Sequence, residues 1–143
     1  KIKNNGAYIY AIIGDGELEE GQNWEAAEFA AIQKLDNLIV FLDNNDMQID
    51  DYAHNLVYTG NYVDKWNSFG FDTVEVDGHN HEDIYNATMK AKENTGKPHM
   101  IVLNTIKGKG VSFIEEAKVG NHSMPINAEQ LQIALKELGL GDK

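Results

Sequence analysis

Two short turns in the sequence carry side chains that are suited to binding a metal ion. Asp15 lies between two glycines in Gly-Asp-Gly, and Asn45 follows in a second turn, Asp-Asn-Asn. A carboxylate and an amide oxygen are hard ligands of the kind that Mg²⁺ and Ca²⁺ prefer. Gly14 and Gly16 let the backbone approach a ligand closely, and main-chain N–H groups there can meet phosphate oxygens. The two turns together predict a divalent metal ion that binds with a phosphorylated ligand.

Either dipeptide by itself is more often an ordinary turn, so the surrounding elements decide the interpretation. Apolar runs at 7–13 and 37–43 directly precede the two turns and predict buried strands, and an amphipathic helix is predicted between them at 23–34. Such a βαβ unit of about thirty residues places both turns at the carboxyl ends of parallel strands. Ligands bind at that edge of α/β sheets, which favours a site over two unrelated turns.

Strands and helices continue to alternate along the rest of the chain. This alternation indicates an α/β domain with a parallel sheet flanked by helices on both faces. A chain of 143 residues has the length of one ordinary domain. The sequence predicts helices at 62–70, 81–94 and 128–138, strands at 71–78 and 99–106, and a loop at 107–127.

The composition excludes several classes of function. Acidic residues number 23 against 12 basic ones, and the net charge of −11 opposes binding to nucleic acid or to an anionic membrane surface. The absence of cysteine excludes disulfides, thiolate nucleophiles and cysteine-ligated zinc. No apolar run has membrane-spanning length and the first residues show no targeting pattern, so we expect a cytoplasmic location.

Three stretches resemble transketolase, in particular the amino-terminal subunit of its split, two-gene form: GDGELEEGQNWEAA (14–27), LDNNDMQID (42–50) and KGKGVSF (107–113). Their Gly-Asp-Gly and Asn-Asn frame resembles the diphosphate-binding pattern of thiamine diphosphate enzymes. The resemblance implies the thiamine diphosphate-binding fold. Residues 1–143 are expected to be the carboxyl-side part of its diphosphate-binding domain, truncated at the amino-terminal side. The implied activity is transfer of a two-carbon ketol unit from a ketose phosphate to an aldose phosphate, as in the pentose phosphate pathway.

The resemblance also implies how the cofactor is held. Asp15, the side chain of Asn45 and the main-chain carbonyl of Met47 would bind Mg²⁺ or Ca²⁺. The N–H of Gly16 would bind the diphosphate, and Ile49 would pack near the cofactor ring. The cofactor-binding residues implied by the resemblance are therefore Gly14, Asp15, Gly16, Asn45 and Ile49.

Three further residues match catalytic positions of the family. His122 matches a histidine that faces cofactor and substrate and assists proton transfer, for which an imidazole is suited near neutral pH. The family usually has glycine after this histidine, where the chain has Ser123. Glu20 and Glu25, which by composition alone would be surface charges at a helix start, match carboxylates of a hydrogen-bonded relay between two active sites at a dimer interface.

A partner is expected, because no segment resembles the pyrimidine-binding domain that the family's active site needs. We expect a pyrimidine-binding subunit or domain, sugar phosphate substrates, and a homo-oligomer or heterotetramer. An isolated chain is expected to self-associate through an exposed sheet edge and apolar surface.

Three alternatives stay open. They are a noncatalytic diphosphate-binding or assembly domain, a related enzyme such as deoxyxylulose-phosphate synthase, and a response-regulator-like domain. The glycines around Asp15 and the amide at Asn45 argue against the last of these. His79 and His81 have the spacing of a metal pair, although a turn followed by a helix N-cap is the more frequent meaning.

Overall fold

The computed structural model describes residues 6–58, 60–93 and 96–141. The strands are β1 (Ile9–Gly14), β2 (Leu38–Asn44), β3 (Asp72–Asp77) and β4 (His99–Asn104). They form one parallel sheet in the order β1-β2-β4-β3, which confirms the predicted α/β architecture. The helices are α1 (Gly21–Ile32), α2 (Ala53–Leu56), α3 (Tyr62–Ser68), α4 (His81–Ala91), α5 (Ser112–Ala117) and α6 (Ala128–Glu137).

The central strands are buried on both faces of the sheet. Val40 and Leu42 of β2 face one layer, in which Trp66 of α3 is only 3% exposed, whereas Ile39 faces the opposite layer. Two helices place small side chains against the sheet, so their backbones can lie close to it: Ala27 and Ala30 of α1, and Ala87 and Ala91 of α4. Because β2 and β4 are buried on both faces, their sequences are continuous apolar runs, and both strands were predicted correctly from these runs. None of the helices in the described ranges has the length and apolarity required to cross a bilayer.

The carboxyl ends of the strands lie in register at one edge of the sheet. Gly14 of β1 pairs with Asp43 of β2, and Asn44 of β2 pairs with Asn104 of β4. Beyond this register, the N–H of Asp15 donates to the carbonyl of Asp43 at 3.2 Å. The turns after β1 and β2 are therefore neighbours in space, as the βαβ pattern predicts.

The predicted loop at 107–127 is wrong in its middle part. Helix α5 forms there, followed by a short 3₁₀ turn at Lys118–Asn121. Gly108 has φ +81°, and a Cβ on it would overlap Ile114 of α5, so this glycine lets the helix pack against the preceding turn. The side-chain amide of Asn121 donates to the carbonyls of Ile114 at 3.1 Å and Lys107 at 3.4 Å. The glycines thus allow a compact helical segment rather than an open loop.

β1 is an edge strand of the described sheet and leaves apolar side chains in solvent. Ile9 is 56% exposed and Ile12 is 77% exposed. On the neighbouring helix α1, Phe29 and Ile32 are also more than half exposed. A paired strand or a covering helix would normally bury such residues.

Candidate functional site

A cleft of about 520 Å³ opens at the carboxyl edge of the sheet, between the turns after β1 and β2 and the segment after β4. Glu25, on α1, lies outside it. The structure brings together eight of the nine site residues predicted from the sequence: Gly14, Asp15, Gly16, Glu20, Asn45, Met47, Ile49 and His122.

Asp15 is the buried carboxylate of this cleft, at 4% exposed. Its Oδ1 accepts the N–H of Gly16 at 2.8 Å, whereas its Oδ2 has no hydrogen-bond partner among the described residues. Burial raises the pKa of Asp15, with further contributions from the charges of Asp43 and Asp46, and nearby main-chain N–H groups only partly oppose this rise. A buried carboxylate oxygen without a partner is unfavourable, and a cation beside it would remove that cost.

Asn45 presents its carboxamide between one acceptor and one donor. Its Nδ2 donates to Oδ2 of Asp43 at 3.1 Å, and its Oδ1 accepts the N–H of Met47 at 3.0 Å. A carbonyl oxygen can accept two bonds, so Oδ1 keeps a lone pair for a further ligand.

The loop that carries Met47 is held closed by a pair of side chains that the sequence did not reveal. Asp46 has φ +58°, and its carboxylate accepts the N–H of His54 at 3.1 Å and contacts Nδ1 of His54 at 2.5 Å. The N–H of Ala53 donates to the carbonyl of Asp46, and Met47 forms a β-bridge with Tyr52. These contacts fix the backbone on both sides of the Met47 carbonyl.

Lys107 lines the cleft, although the sequence did not point to it. Its Nζ lies 2.9 Å from Nδ1 of His122, and both residues line the cleft. An ammonium group has only donors, so the imidazole accepts at Nδ1 and carries its proton on Nε2. A lysine in a glycine-rich segment is usually a surface charge. Its contact with His122 becomes apparent only because α5 brings the chain back to Lys107.

The cleft is strongly acidic around Asp15. Burial, together with the charges of Asp15, Asp46 and Glu19, raises the pKa of Tyr62 to about 12. In the described ranges, no group of three or more histidine or acidic side chains has the arrangement of a metal site. The candidate ligands are instead one carboxylate, one amide and one main-chain carbonyl, which suits Mg²⁺ because it usually keeps waters and phosphate oxygens in its shell.

His79 and His81 lie in a turn and at the start of α4. Nε2 of His79 accepts the N–H of Ile106 at 2.7 Å, and Asn80 between the two histidines caps α4. The prediction of a turn followed by an N-cap is confirmed.

Comparison with known proteins identifies the family. A family model described as the transketolase, thiamine diphosphate binding domain matches residues 2–143. The chain belongs to the transketolase family. Its similarity to transketolases extends to solved structures, including that of Campylobacter jejuni subsp. jejuni, with a TM-score of 0.82, 30% identity, and coverage of 93% of this chain and 21% of that one. For the transketolase of Leishmania mexicana the TM-score is 0.84 at 32% identity, covering 95% of this chain and 20% of that one.

Two curated relatives are subunits of transketolases. The chain is 50% identical over 130 residues to the 6-deoxy-6-sulfo-D-fructose transketolase subunit SqwG of Clostridium sp. (strain MSTE9), covering 91% of this chain and 47% of the relative. It is 40% identical over 130 residues to an apulose-4-phosphate transketolase subunit of Actinobacillus succinogenes, covering 91% of this chain and 46% of the relative. The chain spans about half the length of these two transketolase subunits.

The cleft of this transketolase-family chain fits the metal-bound diphosphate of its family's cofactor. The unpartnered Oδ2 of Asp15 and the free lone pair of the Asn45 oxygen are hard donors. A Cβ on Gly16 would lie 3.2 Å from Cγ of Gln48, so only glycine leaves this turn uncrowded. Ile49 is 69% exposed and offers an apolar surface on the cleft wall.

The two predicted relay carboxylates lie on the surface of this single transketolase-family chain. Glu20, at the start of α1, reaches the cleft and accepts a hydrogen bond from Nε2 of Gln22. Glu25 is exposed on α1. A role between two active sites stays a prediction for both.

Proposed function

We propose that this chain is the carboxyl-side part of the diphosphate-binding domain of a transketolase. Together with the rest of that domain and a pyrimidine-binding subunit or domain, it would transfer a two-carbon ketol unit from a ketose phosphate to an aldose phosphate. The observation that carries the proposal is the buried, unpartnered Oδ2 of Asp15 beside Asn45, at the strand ends where diphosphate would lie.

In this proposal the chain's first task is to hold Mg²⁺ and diphosphate. Asp15, the Asn45 side chain and the carbonyl of Met47 are the protein ligands. Gly16 offers its N–H to the diphosphate, although in this structure Oδ1 of Asp15 accepts that N–H at 2.8 Å. A cation bound by Asp15 would weaken this local bond, because the same carboxylate charge would then be shared with the metal.

The chain's second task is to position a proton donor and an apolar wall. Bound thiamine diphosphate supplies the nucleophilic carbon that takes up the two-carbon unit. Lys107 holds His122 in the tautomer that has its proton on Nε2, so His122 can donate a proton to a substrate oxygen in the cleft. Ile49 lowers the polarity on the same side of the cleft.

A sulfonated sugar is a second candidate substrate. The relative with 50% identity is named for 6-deoxy-6-sulfo-D-fructose, and the relative with 40% identity is named for apulose 4-phosphate. The activity assay should therefore include both sulfonated and phosphorylated ketol donors. A sulfonate and a phosphate differ in charge, but the two-carbon transfer is the same.

Calorimetry tests the proposal directly. Thiamine diphosphate with MgCl₂ is titrated into the full-length protein, alone and with its pyrimidine-binding partner. We expect binding in the complex that Asp15→Ala abolishes and that Glu93→Ala, an exposed acidic residue after α4, leaves unchanged. If the wild-type complex binds no cofactor, or if Asp15→Ala binds as tightly as wild type, the proposed site is wrong and an assembly role replaces it.

A further inference from the structure

The Asn45 carboxamide has only one orientation that satisfies both of its neighbours. An ionised Asp43 carboxylate can only accept, so it must face the NH₂ group, and the main-chain N–H of Met47 can only donate, so it must face the oxygen. A reversed amide would place oxygen against oxygen at Asp43 and nitrogen against nitrogen at Met47. The oxygen, which is the hard ligand, is thereby kept on one side of the carboxamide.

Asp43 is itself held by Thr105, the residue that follows β4. The hydroxyl of Thr105 donates to Oδ1 of Asp43, while Oδ2 of Asp43 is left to accept from Asn45. The main-chain N–H of Thr105 donates to the carbonyl of Asn44 at 3.1 Å, so Thr105 contacts the end of β2 through backbone and side chain together.

The side chain of Thr105 also packs against the turn after β3. Its methyl group occupies the space above Gly78, where a Cβ would overlap it. Gly78 in turn is fixed by its N–H, which donates to the carbonyl of Asn104 at 2.9 Å. With the methyl packed against Gly78, the hydroxyl points to Asp43. Three strand ends thus contribute to the orientation of one amide.

We propose that Thr105 and Asp43 are positioning residues that hold the Asn45 carboxamide so that only its oxygen is available to a divalent cation. The inference rests on the proposed binding of metal and diphosphate. It adds Thr105 and Asp43, which would contact neither the metal nor the cofactor, to the residues of that site. Groups that orient metal ligands in this way typically change metal affinity by about 10- to 100-fold when they are removed.

The test compares two substitutions of Thr105 that remove different parts of the side chain. Thr105→Val keeps the methyl on Gly78 and removes the hydroxyl, and Thr105→Ser keeps the hydroxyl and removes the methyl. Each full-length variant, in complex with its partner and saturated with thiamine diphosphate, is titrated with MnCl₂ and followed by electron paramagnetic resonance. We expect the Mn²⁺ Kd to rise about tenfold in Thr105→Val and to stay within about twofold of wild type in Thr105→Ser.

A double-mutant cycle separates positioning from general destabilisation. In an Asn45→Ala background, adding Thr105→Val is expected to change the Mn²⁺ Kd by less than about twofold, because its effect passes through the amide that is already absent. A structural role would cause the same loss of affinity in both backgrounds. Asp43→Asn, which keeps the size of the side chain, serves as the second variant if Thr105→Val does not fold, with a similar rise in Kd expected.

The outcomes distinguish this inference from the function on which it rests. If Asp15→Ala abolishes Mn²⁺ binding while Thr105→Val and Asp43→Asn bind as wild type, the positioning role is wrong and the metal site stands. If Asp15→Ala also binds as wild type, the metal site itself is wrong and the positioning role falls with it.

Discussion

The Nζ of Lys107 lies 2.9 Å from Nδ1 of His122. The lysine ammonium at the start of the segment 107–122 therefore determines which imidazole nitrogen of His122, at the end of the segment, carries the proton. Helix α5 makes this contact possible because it folds the intervening residues back against Gly108. The nitrogen left to carry the proton, Nε2, is then the one that can donate to a substrate.

Replacing either member of this pair should slow ketol transfer. We expect His122→Ala to lower kcat about 10²- to 10⁴-fold, the usual contribution of a general acid or base. Lys107→Met should lower kcat about tenfold through a less defined tautomer and orientation, with partial recovery in Lys107→Arg. Steady-state kinetics of the complete assembly provides the measurement, and Lys109→Met, an exposed lysine of the same segment, is the matched control. Equal losses in Lys107→Met and Lys109→Met would contradict a specific role.

The charge of Asp15 should make the metal-free protein less stable. Because burial raises the pKa of Asp15, the folded state binds its proton more tightly than the unfolded state does. The cost of burying the charged carboxylate is therefore absent at pH values below 3.8, the pKa of Asp15 in the unfolded chain, and fully present above its pKa in the folded protein. The free energy of unfolding thus falls as the pH rises from the first pKa to the second. We expect Asp15→Asn to increase the free energy of unfolding at neutral pH by on the order of 1 kcal/mol while it abolishes metal binding.

Denaturant unfolding at several pH values, with metal removed by chelation, measures this effect. Glu93→Gln is the control, since it neutralises an exposed carboxylate. A metal-free Asp15→Asn protein that is less stable than wild type at neutral pH would refute the explanation.

Two glycines of the same turn region should respond differently to alanine. A Cβ at position 16 would lie 3.2 Å from Cγ of Gln48, whereas a Cβ at position 21 meets nothing within 4 Å. We expect Gly16→Ala to weaken binding of magnesium thiamine diphosphate by about tenfold, or 1.4 kcal/mol, and Gly21→Ala to bind as wild type. Calorimetric titration of both variants decides the matter, and wild-type affinity in Gly16→Ala would show that the turn tolerates the methyl group.

The contacts between Asp46 and His54 should control the mobility of the loop around Met47. Both side chains are about half exposed, so their contact contributes less than about 1 kcal/mol to global stability. Asp46→Asn keeps a residue that tolerates φ +58°, whereas Asp46→Ala loses that tolerance along with the acceptor. Amide hydrogen exchange over 47–54 is expected to be slowest in wild type, faster in Asp46→Asn and fastest in Asp46→Ala. Identical exchange in all three proteins would exclude the pair as a restraint.

The exposed edge of β1 should drive self-association of the isolated chain. Ile12 is 77% exposed on a strand that pairs, within the described residues, only with β2. Ile12→Lys should lower the apparent mass in sedimentation velocity at a given concentration, because a charge on an edge strand opposes pairing. Ile133→Lys, on the exposed side of α6, is the control. Unchanged association in Ile12→Lys would locate the contact elsewhere.

The sequence predicted the parts of the site that follow directly from strand ends. Asp15 and Asn45 each stand after an apolar run, so the rule for parallel sheets was sufficient to bring them together. Thr105 and Asp43 could not be linked in the same way. They meet because β4 lies beside β2 in register, and strand order is a property of the whole sheet that a local pattern does not contain.

Helix α5 and the contact between Asp46 and His54 escaped prediction for a similar reason. Glycines at 108 and 110 suggested an open loop, but Val111 is buried at the start of α5 and Ile114 within α5 packs against Gly108, so a helix forms there. The contact between His54 and Asp46 could not be predicted, because the two residues lie eight positions apart across an irregular loop. Propensity and periodicity describe regular elements and carry little information about contacts within a turn.

The unpartnered oxygen of Asp15 has a consequence for how long the protein survives in a cell. Without the proposed cation, the protein would carry an uncompensated charge at the edge of the sheet and would spend more time unfolded, and proteases act on the unfolded population. In the proposed function, bound cofactor and metal would protect the folded form by mass action. Cells short of thiamine, the precursor of this cofactor, would therefore accumulate less of this protein without any change in its synthesis.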